Sequence, residues 1–319
     1  MQPALTTLRQ LGTSLTDRIG NTPLVRLDRI SAGLPGITLL GKAEWANPGG
    51  SVKDRAAWSI VSDAIARGEI MDPARANRGL LDATSGNTGI AYAMLGAALG
   101  FKVTLCVPEN ASPERKKILD AYGAEVIWTS ADESSDGAIR KARVLAVENP
   151  ELYYYADQYS NNANWQAHYR TTGNEIWQQT DGRITHFIAS LGTTGTFTGT
   201  TRRLRELNPA IQCISMQPDS PFHGLEGLKY MATSIVPGIY DPALANRNVF
   251  QSTEEAYHIA KLLGRVEGIL VGISAAAATA TALRIAREES EAGREAVIVT
   301  ILCDSAEKYL SERFWDEAH

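Results

Sequence analysis

Short runs of apolar residues alternate along the chain with segments whose apolar positions recur every three or four residues. Residues 102–107 (Lys-Val-Thr-Leu-Cys-Val) are one such run and predict a strand. A helix is predicted to follow near Ser112, with Ser112 as N-cap and Pro113 at the first helical position. Ile118, Leu119 and Tyr122 share one face of it, Gly123 ends it, and residues 124–129 predict the next strand. Residues 79–83, 186–191 and 296–303 read as strands of the same kind, and Tyr153, Tyr154 and Tyr155 as strand and core packing. Strands and helices in alternation predict an α/β fold of open, mostly parallel sheets covered by helices on both faces.

Composition narrows the class. Hydrophobic residues make up 44% and charged residues 21%, which excludes a disordered chain. At 319 residues the chain is too long for one small core and short for three domains. Lys and Arg number 31 against 36 Asp and Glu, so the net charge of −5 gives no reason to expect nucleic acid or a membrane as partner. Cys106, Cys213 and Cys303 lie far apart with no C-x-x-C, which suggests neither a disulfide framework nor zinc and fits a reduced, cytoplasmic setting. Residues 1–20 carry no apolar run and are interrupted by Arg9, Asp17 and Arg18, unlike a signal peptide. The five histidines, at 168, 186, 223, 258 and 319, show no ligand spacing, so no metal is expected.

In parallel sheets ligands bind at the carboxyl ends of strands. Three predicted strands end in loops of small polar residues: Ala83 runs into Thr84-Ser-Gly-Asn-Thr-Gly89, Leu191 into Gly192-Thr-Thr-Gly-Thr-Phe-Thr-Gly199, and Cys303 into Asp304-Ser305. Such loops are either ordinary turns capped by Ser and Thr, or backbone N–H cradles for anions at helix N-termini. Two in one sheet favour two anionic groups bound side by side. The Gly192 loop has neither G-x-x-x-x-G-K-[ST] nor G-x-G-x-x-G, which leaves a single phosphate that needs no Mg²⁺.

Asn47-Pro-Gly-Gly-Ser-Val-Lys-Asp-Arg55 precedes apolar residues at Ala56, Ala57, Ile60, Val61, Ala64 and Ile65, one helical face. Ser51 is expected as N-cap and Asp54 as its capping-box partner. Lys53 then sits in the first turn, where the helix dipole disfavours an ammonium by roughly 0.3–1 kcal/mol. That suits a nucleophilic amine, although a solvated surface lysine would satisfy the same pattern.

An amine, a phosphate cradle and a second anion loop are the parts of a pyridoxal phosphate enzyme. The chain resembles the cysteine synthase group of the β-family, fold type II. The matching stretches are Gly20-Asn-Thr-Pro-Leu24, the 47–55 motif, Thr84 to Gly89, Gly192-Thr-Thr-Gly-Thr196, Gly272-Ile-Ser274 and Asp304 to Leu310. They run in family order over nearly the whole length, and residues 168–177, Gly192-Thr-Thr-Gly and Cys303-Asp304 look most like the cysteine synthase B branch.

The resemblance implies two domains, with an N-terminal arm (1–47) on the large domain, a smaller, partly mobile domain (48–160) and a large cofactor-binding domain (161–319). It implies pyridoxal 5′-phosphate as cofactor, with Lys53 as covalent anchor and catalytic base. Gly192, Thr193, Thr194, Gly195 and Thr196 would bind its phosphate, Asn87 its ring oxygen and Ser274 its ring nitrogen. Thr84, Ser85, Gly86, Thr88 and Gln158 would bind the substrate carboxylate. Lys229 falls where relatives place an arginine that can meet a phosphorylated leaving group; a solvated surface lysine is the alternative. Ser274 could equally cap the helix that follows it. The implied reaction is replacement of the β-substituent of an O-acetyl- or O-phosphoserine by a sulfur donor, in a homodimer. Ala275-Ala276 departs from the usual Ser-Gly and predicts a narrower pocket. A cystathionine β-synthase-like enzyme shares these motifs. A dehydratase fits less well, because its lysine motif and glycine-richer phosphate loop differ. A non-catalytic scaffold on the same fold would have no need of Lys53, Asn87 and Ser274 together.

Overall fold

The structure, a computed structural model, describes residues 12–84 and 86–317. In chain order these form β1 (Leu24–Arg26), β2 (Ile37–Ala43), α1 (Lys53–Ala66), β3 (Gly79–Ala83), α2 (Asn87–Leu99), β4 (Val103–Pro108), α3 (Pro113–Ala121), β5 (Glu125–Thr129), α4 (Ser134–Glu148) and β6 (Tyr153–Tyr155). There follow α5 (Asn162–Arg170), α6 (Thr172–Gln179), β7 (His186–Ser190), α7 (Gly195–Leu207), β8 (Gln212–Pro218), β9 (Arg247–Gln251), α8 (Thr253–Val266), α9 (Ile273–Glu291) and β10 (Ala296–Leu302). The strands expected from apolar runs are all present, within a residue at each end.

Two sheets result. The larger has the order β1-β2-β10-β7-β8-β9, parallel except for β1. The smaller has the order β5-β4-β3-β6 and is wholly parallel, so the loops after β3 and β7, expected in one sheet, belong to two sheets that face each other across the site. Side chains alternate across each strand, so each sheet feeds two cores. Leu80 and Leu105 pack on one side of the small sheet with Ile90 and Leu95 of α2 and Ile60 and Val61 of α1. Leu81 and Cys106 pack on the other with Ala138 and Ile139 of α4. The large sheet is covered by α9 on one face, and by Phe197 and Leu204 of α7 on the other.

Ala275, Ala276, Ala277 and Ala278 of α9 are fully buried. Small side chains let that helix sit inside the core on nearly all sides. Ala275 and Ala276 therefore face the core and not the pocket they were expected to narrow.

Helix starts separate into two kinds. Ser112 Oγ accepts from Arg115 N at 3.4 Å with Pro113 as first helical residue, and Gly123 lies beyond the helix end at φ +75°, both as the sequence predicts. α1 and α9 differ. Ser51 Oγ accepts from Lys53 N at 3.2 Å, a capping contact on the first turn of α1, although the helix is preceded directly by Val52; α9 follows Gly272 with no side-chain cap, so Ser274 does not cap it. Tertiary pairing fixes both starts as well: Ser51 forms a β-bridge with Asp304, Val52 N donates to Cys303 O at 2.8 Å, and Gly272 N donates to Asp304 O at 3.1 Å.

Candidate active site

The start of α1, the loops after β3, β7 and β10 and the first turn of α9 converge on one cavity. It is lined by Lys53, Thr84, Gly86, Asn87, Thr88, Gln158, Gly192, Thr193, Thr194, Thr196 and Ser274. Of the other residues expected there, Gly195 opens α7 behind the lining, and Ser85 lies outside the described residues.

Lys53 is held by its neighbours in sequence. Successive helical side chains diverge by about 100°, so Asp54 and Arg55 turn away from the cavity that Lys53 lines. Asp54 accepts from Gly49 N at 2.5 Å and does not reach back to Ser51 as a capping box would. Burial pushes the Asp54 carboxyl up to about 7, against the Gly49 N–H that favours its ionised form. Arg55 forks onto Glu44 at 2.7 and 2.8 Å and reaches Glu175 at 2.6 Å. Lys42 donates to Glu175 at 2.7 Å and to Thr22 O at 2.6 Å. Burial alone would raise the Glu175 carboxyl, but Arg55 and Lys42 together outweigh it and hold it at about 2.

The loop after β7 has the makings of an anion site. A Cβ on Gly192 would lie 2.3 Å from Gly227 O, and one on Gly195 would lie 1.9 Å from Asn164 Oδ1, so both positions need glycine. Thr194 sits in the left-handed region at φ +71°, a costly conformation for a β-branched residue. Its Oγ1 is buried with no hydrogen-bond partner among the described residues. An orphaned hydroxyl beside the N-terminus of a 13-residue helix fits a phosphate. Thr193 Oγ1 accepts from Asn164 Nδ2 at 3.1 Å, and Thr196 Oγ1 lies 3.3 Å from His168 Nε2. Burial lowers the His168 pKa to about 3, so this imidazole is neutral.

The loop after β3 is shaped by Thr84, whose Oγ1 accepts from Gly86 N at 3.0 Å and Gly89 N at 3.1 Å. Thr88 Oγ1 donates to Gln158 Oε1 at 2.8 Å, and Gln158 Nε2 donates to Ala83 O at 2.6 Å. These contacts tie the chain after β6 to the end of β3. Asn87 Nδ2 donates to Asp304 Oδ2 at 2.7 Å. Ser274 is the second residue of α9 and turns toward the cavity.

Lys229 is placed differently from either reading of the sequence. It is 3% exposed, so it is not a solvated surface lysine. Its Nζ donates to Asp136 Oδ1 at 2.6 Å and lies 5.1 Å from the Tyr159 ring centroid, in the cleft beside the cavity and not among the cavity's lining. Arg115, Tyr159, Glu226 and Tyr309 do line the cavity, and the sequence reading missed them. Arg115 pairs with Glu226 and stacks 4.7 Å over the Tyr309 ring. In sequence it is an ordinary charged residue in the first turn of an amphipathic helix, and only the topology brings it to the site. Among the described residues no group of three or more His, Cys, Asp or Glu could hold a metal ion. No helix among them is long and apolar enough to cross a membrane.

An amine at a helix start, a phosphate cradle, and an amide and a hydroxyl for a ring's oxygen and nitrogen make up the donor set for a phosphorylated pyridine aldehyde. Together with two mostly parallel sheets, they define a fold type II pyridoxal phosphate enzyme. Residues 15–304 match the family described as pyridoxal-phosphate dependent enzyme. A cysteine synthase of Aquifex aeolicus is 48% identical over 97% of this chain and 94% of its own. Cysteine synthase B of Escherichia coli is 41% identical over 96% and 97%. Among solved structures, the cysteine synthase of Entamoeba histolytica superposes with a TM-score of 0.88 at 31% identity, covering 100% of this chain and 94% of its own. An O-ureido-L-serine synthase superposes at 0.87 and 35%, covering 97% and 96%. The chain belongs to the pyridoxal-phosphate dependent enzymes, within the cysteine synthase family.

Proposed function

We propose that the protein makes L-cysteine by replacing the O-acetyl or O-phospho group of an activated L-serine with sulfide or another sulfur donor. Pyridoxal 5′-phosphate, when bound, supplies the electron sink that makes the substrate Cα–H acidic. Everything else falls to the chain. Lys53 would anchor the cofactor through Nζ, and as a free amine the same Nζ would take the substrate's α-proton as general base. Thr84, Gly86 and Thr88, at the N-terminal end of α2, hold the substrate carboxylate against the positive end of the helix, with Ser85 of the same motif as a further ligand, and Gln158 braces Thr88.

The Gly192 to Thr196 loop holds the phosphate and so fixes the ring against Lys53. Ser274 offers a neutral hydroxyl to the ring nitrogen. A hydroxyl leaves the ring less electron-withdrawing than a carboxylate partner would, which favours prompt loss of the β-substituent. A homodimer in the cytoplasm belongs to the same proposal.

The observation that carries this reading is that Lys53, the orphaned Thr194 hydroxyl, Asn87 and Ser274 share one cavity. The test is the visible absorption of the purified protein and its loss on borohydride reduction, followed by turnover of O-acetylserine and O-phosphoserine with sulfide. Lys53→Ala should abolish both the reducible band and turnover. A Lys53→Ala protein that kept a reducible lysine adduct and near-full activity would refute the assignment. Turnover with homocysteine in preference to sulfide would redirect it to a cystathionine-forming enzyme.

A further inference from the structure

We propose that Asp304 and Lys308 are positioning residues that lock the Asn87 amide so that it offers an N–H, and not its carbonyl oxygen, to the cofactor's ring oxygen. The inference rests on reading the cavity as a pyridoxal phosphate site.

Asn87 belongs to the small-sheet side, at the start of α2. The partners of its side chain come from beyond β10, on the large-sheet side. Asn87 Nδ2 donates to Asp304 Oδ2 at 2.7 Å, and Asn87 Oδ1 accepts from Lys308 Nζ at 3.1 Å. An amide can often be turned over without loss of contacts, but this one cannot. A carboxylate oxygen only accepts, and Lys308 here only donates, because its other contacts are carbonyl oxygens, Gly49 O at 3.1 Å and Gly50 O at 3.2 Å. All three lysine N–H groups are therefore assigned.

Asp304 is itself immobilised. Tyr309 Oη donates to the same Oδ2 at 2.6 Å, and a Cβ on Gly272 would lie only 2.1 Å from Oδ1. Asp304 is fully buried and Lys308 nearly so. With its oxygen and one N–H engaged, Asn87 has a single group left for the cavity, its second N–H. That N–H stabilises an ionised ring oxygen. A turned amide would set carbonyl oxygen against it.

The test is a double-mutant cycle on the reconstituted enzyme. Pyridoxal 5′-phosphate dissociation is measured by equilibrium dialysis, and the visible band of the bound cofactor is followed against pH. Lys308→Met, which keeps the length of the side chain, should weaken cofactor binding about five- to tenfold, the worth of one hydrogen bond. It should also move the band in the same direction as Asn87→Ala does. In the Asn87→Ala background Lys308→Met should have no further effect on either. Asp304→Asn, which is isosteric, should give a smaller loss that likewise disappears without Asn87, and it decides the question if Lys308→Met does not fold. Equal losses in both backgrounds, or no loss in either, would overturn the proposal while leaving the function intact. A wild-type protein that bound no pyridoxal 5′-phosphate would overturn the function itself.

Discussion

Lys229 and Asp136 meet at 2.6 Å in the cleft beside the cavity, and Asp136 Oδ2 also accepts from Ile235 N at 2.8 Å. A lysine so engaged has its charge already answered. Removing it strands a carboxylate that is 23% exposed, at a cost of about 1–2 kcal/mol, less than for a fully buried pair. Lys229→Ala should therefore lower stability and reduce kcat/KM by the same factor with O-acetylserine and with O-phosphoserine. Steady-state kinetics beside urea unfolding would check this, and a loss confined to O-phosphoserine would restore the leaving-group contact. The sequence could not settle the role of Lys229, because its partner lies 93 positions away in another element. That Lys53, Asn87 and Ser274 line the cavity was legible, because each sits in a short motif at a strand end or helix start, where the fold class already directs attention.

At the level of elements, the start of α1 is fixed from behind by a charge network that also reaches β2 and α6. Arg55, Lys42, Glu44 and Glu175 form it with Thr22. The Glu175 carboxyl, held at about 2, lies below its unfolded value of 4.5. A lowered carboxyl stabilises the fold fully above its unfolded pKa and loses that contribution as pH falls toward the folded one. The affected window is therefore pH 4.5 down to about 2. Glu175→Gln should be less stable than wild type at neutral pH by about 1–3 kcal/mol. Its urea midpoint should also fall less steeply across that window. Parallel curves for the two proteins would show that Glu175 does not carry the acid sensitivity. Helix starts set by their own side chains, as at Ser112 and in part at Ser51, could be read from sequence; the start at Gly272 could not. Pairing with the far end of the chain overrides the local capping signal there.

Over the whole molecule, the cavity lies between a small sheet drawn from one continuous stretch, β3 to β6, and a large sheet drawn from both ends of the chain. Two ion pairs, Arg115 with Glu226 and Lys229 with Asp136, join the two sides across the cleft. The proposed carboxylate-binding residues Thr84, Gly86 and Thr88 lie on the small-sheet side, while the proposed cofactor-binding residues Gly192 to Thr196 and Ser274 are on the other. A bound amino acid should draw the small unit inward and exclude water. Hydrogen exchange of the holoenzyme with and without L-alanine, which has no leaving group, should show added protection within residues 86–149. Exchange unchanged throughout that segment would sink the closure. The strands and their parallel pairing followed from apolar periodicity and the division into two units from the family resemblance, but the cross-cleft pairs followed from neither, since they depend on how the two units face each other.

β10 is the last strand of the chain, yet in the large sheet it lies between β2 and β7, paired with Ile37–Ala43 on one side. Until it arrives, β2 and β7 each show an open row of backbone donors and acceptors. Closing the register from Ile37 to Ala296 also means bringing together very distant parts of the chain. On the ribosome the small sheet can be complete while the large one is still split down its middle. The nascent protein thus carries two adhesive margins from the completion of β7 at Ser190 until β10 begins at Ala296. Premature termination before β10 leaves them exposed, making such fragments natural clients for chaperones and proteases.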